Sequence, residues 1–233
     1  CGALERRGSV SGEQRTAYEI GRAFPGVSFV SSKAGQVLSS VPDESAIVVA
    51  TPGAEPVAQQ RYAATVLLDG WALLDRAGLD SPIEAFRRWA AAVALTRTKA
   101  EGGEVVLAGV PAYGEVRPVE ALLRWDPHWL VGLELRERRE LVLPPFSRTV
   151  LISGDPSAVA RALDHLQGHG GLAQPMIEVH GPLIDDTGVS RLVLRSLDHD
   201  QALRTTRWLR AHRSASKDSD RLVIAVDPTD LAG

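Results

Sequence analysis

The residues in this chain best placed to do chemistry are basic. Arg204, Arg207, Arg210 and Arg213 recur every three positions, and Lys217 and Arg221 follow. Between His199 and Arg221 these six stand against Asp200, Asp218 and Asp220, six minus three, a local +3 in a chain of net charge -3. Guanidinium groups at that density suit phosphates or carboxylates. Steps of three drift around a helix, so the run reads as a phosphate-binding or acidic-peptide-binding patch, or as a solvated face. Arg191 and Arg195 lie on an apolar stretch just upstream.

Other chemistry is sparser. His165 and His169 in "HLQGH" present two ligands at helical spacing. Gly168 lies between them and no third ligand is near, so they read as solvated histidines, because zinc takes three or four ligands. Asp185 and Asp186 in "LIDDTG" read as turn residues rather than a carboxylate pair. Asp69 closes the apolar run "ATVLLDG", a position that suits a catalytic acid or a turn and helix cap. "ATPGAEP" (50–56) follows an apolar run as a nucleotide loop would, but its single glycine reads as a turn. The chain contains no G-x-x-x-x-G-K-[ST], no strand-linked G-x-G-x-x-G, and no evident Ser–His–Asp or Cys–His arrangement.

The elements that must hold these residues fall into two styles. "GEQRTAYEIGRAF" (12–24) has helical periodicity. "VSFVSS", "AIVVAT", "AATVLLDG" and "GGEVVLAG" are short apolar runs closed by turn residues, as in buried parallel strands. Between the last two lies "SPIEAFRRWAAAVALTRTK" (81–99), whose Ser81 and Glu84 predict a capping box. Alternating strands and helices predict a parallel sheet wrapped by helices. A helical stretch broken at Pro127 then runs to Pro144-Pro145. Beyond it the order strand, helix, strand, strand, helix, strand predicts a βαββαβ unit, with Asp155 and Pro156 opening its first helix.

Composition narrows the class. Of 233 residues, 44% are hydrophobic and 24% charged, as in ordinary globular proteins. Aromatics are 5%, so stacking platforms are expected to be few. The single Cys, Cys1, permits no internal disulfide and suits a reducing compartment. No run approaches the roughly 18 apolar residues of a transmembrane helix. The chain lacks an initiator Met, its one Met being Met176, and reads as a piece of a longer protein.

"ELRERRELVLPPFSR" (134–148) resembles the segment of the PriA family of replication-restart proteins that joins the second helicase lobe to the C-terminal domain. "RLVIAVDPTDL" (221–231) resembles that family's closing strand. "FPGVSF", "YAATVLLDGWALL" and "GPLIDD" fall in the family's order. "CG" at the start resembles the end of its last zinc knuckle. The resemblance implies an α/β chain with the end of the zinc-knuckle region over 1–11 and a degenerate RecA-like helicase lobe 2 over 12–124. A helical connector over 125–147 and a small α+β βαββαβ domain over 148–233 would follow. It implies zinc in the full-length protein, with Cys1 as a last ligand, and none in this stretch alone. The implied partners are forked or single-stranded DNA, the tail of the single-strand DNA-binding protein and other primosome components. The implied place is the cytoplasm, at the nucleoid and away from membranes.

Departures from the family pattern set the expected activity. Where the family carries Q-V-A-G-R-A-G-R, this chain has "AVALTRTK" (92–99), leaving Arg97 and Lys99 as a degenerate nucleotide-sensing motif. The G-T-Q-M-x-x-K-G-H-D-F loop is replaced by "ATPGAEPVA". ATP hydrolysis is therefore not expected, ATP binding is left open, no catalytic residue is assigned, and the expected role is a DNA- and protein-binding scaffold. The alternative is part of an active ATP-dependent 3'-5' DNA helicase with altered motifs. The family's R-x-R-W-Q strand is "GVSRLVL", which keeps Arg191 and Arg195 without an aromatic. Contact with the DNA backbone rather than base stacking is expected.

Overall fold

In a computed structural model the described residues are 13–76, 78–110, 115–170, 172 and 177–229. Contacts divide the chain into two compact units, Cys1–Arg76 with Asp80–Leu130, and Ala77–Leu79 with Val131–Gly233.

In the first unit, α1 (Glu13–Ala23) precedes β1 (Ser28–Ser32), β2 (Ser40–Val41), β3 (Ala46–Ala50), β4 (Val57–Ala58) and β5 (Ala64–Leu67). Then come α2 (Trp71–Leu74), α3 (Ser81–Val93), a 3₁₀ turn (Lys99–Glu101), β6 (Glu104–Leu107) and α4 (Arg117–Arg124). The strands pair in parallel, as the apolar runs suggested, but as three separate two-stranded sheets: β1 with β3, β2 with β4, β5 with β6. The expected single RecA-like sheet is not assembled among the described residues. The strands are only two to five residues long and none is buried throughout. A core of Leu73, Ala85 and Trp89, flanked by Leu67, Leu107, Val119 and Leu122, holds β5 and β6 to α2, α3 and α4.

The expected capping box at Ser81 is not made. Ser81 is the first helical residue and its hydroxyl donates to the Arg76 carbonyl at 2.7 Å. Glu84 turns along the helix to Arg87 and Arg88 instead, and these hold its carboxyl at about 2. A capping box does form at the 3₁₀ turn, between Thr98 and Glu101.

The break at Pro127 is real. Trp125 takes a left-handed φ of 54°, and α5 (Pro127–Glu140) starts afresh with the Asp126 carboxylate accepting from the Trp129 amide at 2.9 Å. This helix ends at Glu140, ahead of Pro144-Pro145, which is a cis bond.

The second unit has the expected order: β7 (Arg148–Gly154), α6 (Pro156–Gly168), β8 (Ile177–Ile184), β9 (Ser190–Ser196), α7 (His199–Ala215) and β10 (Leu222–Val226). The strands form one antiparallel sheet in the order β10-β7-β9-β8, the split-βαβ arrangement. Strict alternation does the sorting. Along β9, Leu192 and Leu194 are buried while Arg191, Val193 and Arg195 are half-buried. Val150 and Ile152 sit opposite Leu194 and Leu192 in register. These residues join Ile177, Val159, Ala162, Leu166, Ala202 and Leu209 in one core. At about 1.5–3 kcal/mol per large buried side chain, this cluster is the main source of the unit's stability.

Candidate nucleic-acid interface

The basic helix α7 is fixed at its start by Asp198, whose Oδ1 accepts from the Asp200 and Gln201 amides at 2.9 and 3.0 Å. Ala202, Thr205, Thr206 and Leu209 turn its inner face to the core. Three residues advance an α-helix by about 300°, so each successive arginine falls about 60° behind the last. The four arginines therefore fan over half the helix circumference, and their surroundings differ.

Arg204 is 60% exposed, with Nη2 at 2.9 Å from Gln201 Oε1 and 3.5 Å from Asp198 Oδ2. Arg207 is exposed and has no hydrogen-bond or ion-pair partner among the described residues. The guanidinium of Arg210 donates to the Ile224 carbonyl at 2.8 Å, tying the helix to β10. Only 15% of the Arg213 side chain is exposed; it meets Asp218 Oδ2 at 3.1 Å and the Asp220 carbonyl at 2.5 Å. Asp218 is held below the usual carboxylate range, first by the Asp220 amide and then by Arg213. Lys217, with a left-handed φ of 53°, lies just past the helix end. Its side chain is exposed, as is that of Arg221, and neither has a partner among the described residues. Arg221 lines a small pocket with Ser153, Gly154, Asp155, Val189 and Val223.

Arg191 and Arg195 do not join this set. They point from β9 to the face opposite the one that Leu192 and Leu194 turn to α6 and α7. Each is matched by an acid. Arg191 lies 2.5 Å from Asp185 Oδ2. Arg195 makes two contacts with Glu178 Oε2, at 2.9 and 2.5 Å, and a third with the Leu141 carbonyl at 3.3 Å. The Thr187 hydroxyl, the Val189 and Thr187 amides and Arg191 together lower the Asp185 carboxyl to about 2. Asp185 is thus a turn residue, as its loop suggested. The basic stock narrows to Arg207, Lys217 and Arg221, with Arg204 partly tethered.

The histidines are not simply solvated. His169 lies flat on Trp208, centroids 3.9 Å apart and planes 5° apart. His212 also lies alongside Trp208 at 5.0 Å and 16°, and His165 meets His212 at 4.4 Å. Four rings thus line the seam between α6 and α7. The sequence signal was available: Trp208 and His212 are four apart on α7, as His165 and His169 are near the end of α6. No group of three or more potential metal ligands occurs among the described residues. Cys1 lies outside them.

The two stretches that stand where nucleotide-sensing loops were sought are internally bonded. The Gly53 amide donates to both oxygens of Glu55 at 3.0 Å, so this amide is already taken by a carboxylate. The buried Ser32 hydroxyl donates to the Ala54 carbonyl at 2.6 Å and pins the loop to β1. Arg97 Nε donates to the Gln60 carbonyl at 3.1 Å, and its own amide bonds Tyr62. Lys99 opens the 3₁₀ turn and is exposed. A Cβ on Gly103 would lie 1.9 Å from the Arg97 carbonyl oxygen, so the turn closes tightly on that arginine's backbone. Asp69 takes a left-handed φ of 50° and its carbonyl accepts from the Ala72 amide, a turn leading into α2.

The segment 134–148 and the end of β10 also meet. Arg148 Nη1 lies 2.5 Å from Asp227 Oδ2, while Asp227 Oδ1 accepts from the Thr149 amide at 2.9 Å. Ser147, nearly fully buried, donates to the Val142 carbonyl at 2.6 Å, and Arg139 lies over the Phe146 ring at 4.8 Å.

Against known proteins, residues 139–229 match the family described as the primosomal protein N C-terminal domain. The chain is 42% identical over 163 residues to a protein of Mycobacterium leprae named probable replication restart protein PriA, covering 70% of this chain and 25% of that protein. A protein of the same name from Mycobacterium tuberculosis is 40% identical over 164 residues, again 70% of this chain and 25% of that protein. The chain thus spans about a quarter of the length of these relatives.

Proposed function

We propose, from the premise that this chain carries the C-terminal region of a PriA-type replication restart protein, that it helps hold such a protein on DNA at stalled replication forks. In this reading the βαββαβ unit contacts anionic partners, forked or single-stranded DNA first and the acidic tail of a single-strand DNA-binding protein second. The first unit is the remnant of a RecA-like helicase lobe, retained as scaffold for primosome assembly, and the protein acts in the cytoplasm.

The observation that carries the reading is Arg207, an exposed guanidinium on α7 with no partner among the described residues, beside the 60% exposed Arg204. Such a cation meets a phosphate without first breaking an internal contact, and releases a counterion as it binds. The absence of ATP-driven work is supported by a separate feature. The Gly53 amide is bonded to Glu55, and Arg97 to the Gln60 carbonyl. Phosphoryl transfer draws about 10³-fold or more from one well-placed arginine. An arginine held on a backbone carbonyl is not placed to supply it.

The test uses the full-length protein and fork DNA across a salt series, read by fluorescence anisotropy. Arg207→Ala should weaken binding and flatten the log–log salt slope by about one. Arg191→Ala, which removes an acid-paired arginine, should leave the slope unchanged. Equal slopes for Arg207→Ala and the parent would overturn the DNA-binding role of α7. ATP hydrolysis, with or without DNA, should stay at background. A DNA-stimulated ATPase abolished by Arg97→Ala would overturn the scaffold reading.

A further inference from the structure

We propose that the ring stack between α6 and α7 is a platform for an unstacked nucleobase of single-stranded DNA; this rests on the DNA-binding reading of α7 and deepens it. Its centre is Trp208, half-buried, with His169 lying flat on it at 3.9 Å and 5° and His212 alongside at 5.0 Å and 16°. His165 extends the surface by meeting His212 at 4.4 Å. A seam that only needed filling would end in buried aliphatic contacts, as it does at Leu166 and Leu209. Instead the stack ends in two exposed imidazoles, His165 and His169.

Helix geometry supplies the second half of the site. Residues four apart share a flank, so Arg204, Trp208 and His212 form one stripe along α7. Arg207 lies about 60° beyond Arg204, toward solvent. Arg204 therefore borders the rings and Arg207 lies about 100° around the helix from Trp208, while the arginines tied to carbonyls and acids, Arg210 and Arg213, lie on the far flanks. A flat, sequence-tolerant π surface beside exposed cations is what a single strand needs: a base on the rings, one flanking phosphate on Arg204, whose contacts to Gln201 and Asp198 are solvent-exposed, and the next on Arg207. Every base has a π face, so the site discriminates strand form rather than sequence.

The experiment compares two probes of equal length and charge, oligothymidine and the same oligonucleotide with abasic sites. Both are titrated into the 233-residue chain. Stacking of one base typically strengthens binding by about fivefold or more. Oligothymidine should therefore bind at least about fivefold tighter than the abasic strand, and only it should shift the Trp208 indole signal in a ¹⁹F-tryptophan spectrum. His169→Ala should bring the two affinities together. His169→Phe, which keeps a ring and loses the imidazole, should keep them apart. Equal affinity for the two probes in the parent chain overturns the platform and leaves the backbone-contact reading intact. Binding of neither probe overturns both. Loss of the difference in both His169 variants overturns stacking as its source.

Discussion

Asp227→Ala is the substitution on which the account of the second unit can be most sharply tried. Asp227 directly follows β10 and makes two charge-assisted contacts to β7, at 2.5 Å to Arg148 Nη1 and 2.9 Å to the Thr149 amide. Arg148 and Asp227 are 29% and 31% exposed, so solvent screens the pair but does not cancel it. A hydrogen bond to a charged group contributes about 1.5–3 kcal/mol net, to be discounted here for exposure to about half. Asp227 also sits at a φ of 47°, a region that Asp tolerates and Ala does not, at about 1 kcal/mol. Arg148 Nε is already buried with no hydrogen-bond partner among the described residues, so losing Asp227 leaves the guanidinium less satisfied still. Together these give a loss of about 2–4 kcal/mol, a large fraction of the roughly 5–15 kcal/mol of an ordinary domain. Asp227→Asn keeps an acceptor and the backbone preference, and should cost about 1–2 kcal/mol. Trp208 is the one tryptophan between Val131 and Gly233. Its ¹⁹F signal through a urea titration therefore follows this unit alone. A loss below about 0.5 kcal/mol for Asp227→Ala, the level of an ordinary surface change, would refute the reasoning. So would independent rather than coupled effects of Asp227→Ala and Arg148→Met in a double-mutant cycle.

Gly154→Ala should unpair β10 from β7, because a Cβ there would lie 2.1 Å from the Arg221 carbonyl oxygen; the check is faster amide exchange at Leu222–Val226, and unchanged exchange would exclude the close approach. Asp185 should titrate near 2, well below the ordinary aspartate range, followed by carboxyl NMR. Its folded value is depressed, so its contribution to the β8–β9 turn is complete above about 4 and fades as pH falls toward 2. An Asp185→Asn chain should lack that acid-sensitive loosening.

Much of the second unit was legible because its signals are local. Period-two alternation in "SRLVLRS", the Asp-Pro helix start and the turn chemistry of "LIDDTG" each act over a few residues. The structure keeps the alternation and the turn, and α6 does start at Pro156 with Asp155 in the capping position, but the Asp155 side chain makes no capping hydrogen bond. In the first unit the apolar runs located β1, β3, β5 and β6, but not how they associate. Runs such as "AIVVAT" specify that a strand exists, while the neighbours that would complete a sheet are set by long-range pairing. The cap at Ser81 failed for a related reason. A Ser-x-x-Glu spacing is satisfied equally by a serine one position inside the helix, and Arg87 and Arg88 compete for Glu84 at closer range.

The candidate site shows where a charge count stops being informative. Six basic residues were visible between 199 and 221, but whether each is free depends on acceptors that have no signature in sequence. Arg210 is taken by the Ile224 carbonyl, Arg195 by Glu178 and the Leu141 carbonyl, and Arg213 by the Asp218 side chain and the Asp220 carbonyl. Backbone oxygens are present at every position, so only the fold decides which arginine they claim. The same holds for stacking. Counting Phe, Trp and Tyr gave 5% and argued against an aromatic surface. Imidazoles were left out of that count, yet His169 from the end of α6 and His212 from α7 both lie against the Trp208 indole, and His165 of α6 meets His212. The balance between free cations and stacked rings on α7, rather than the net charge of the run, is what the salt slope and the abasic comparison measure separately. A slope that falls with Arg207 while the base preference falls with His169 would place the two chemistries on adjacent flanks of one helix.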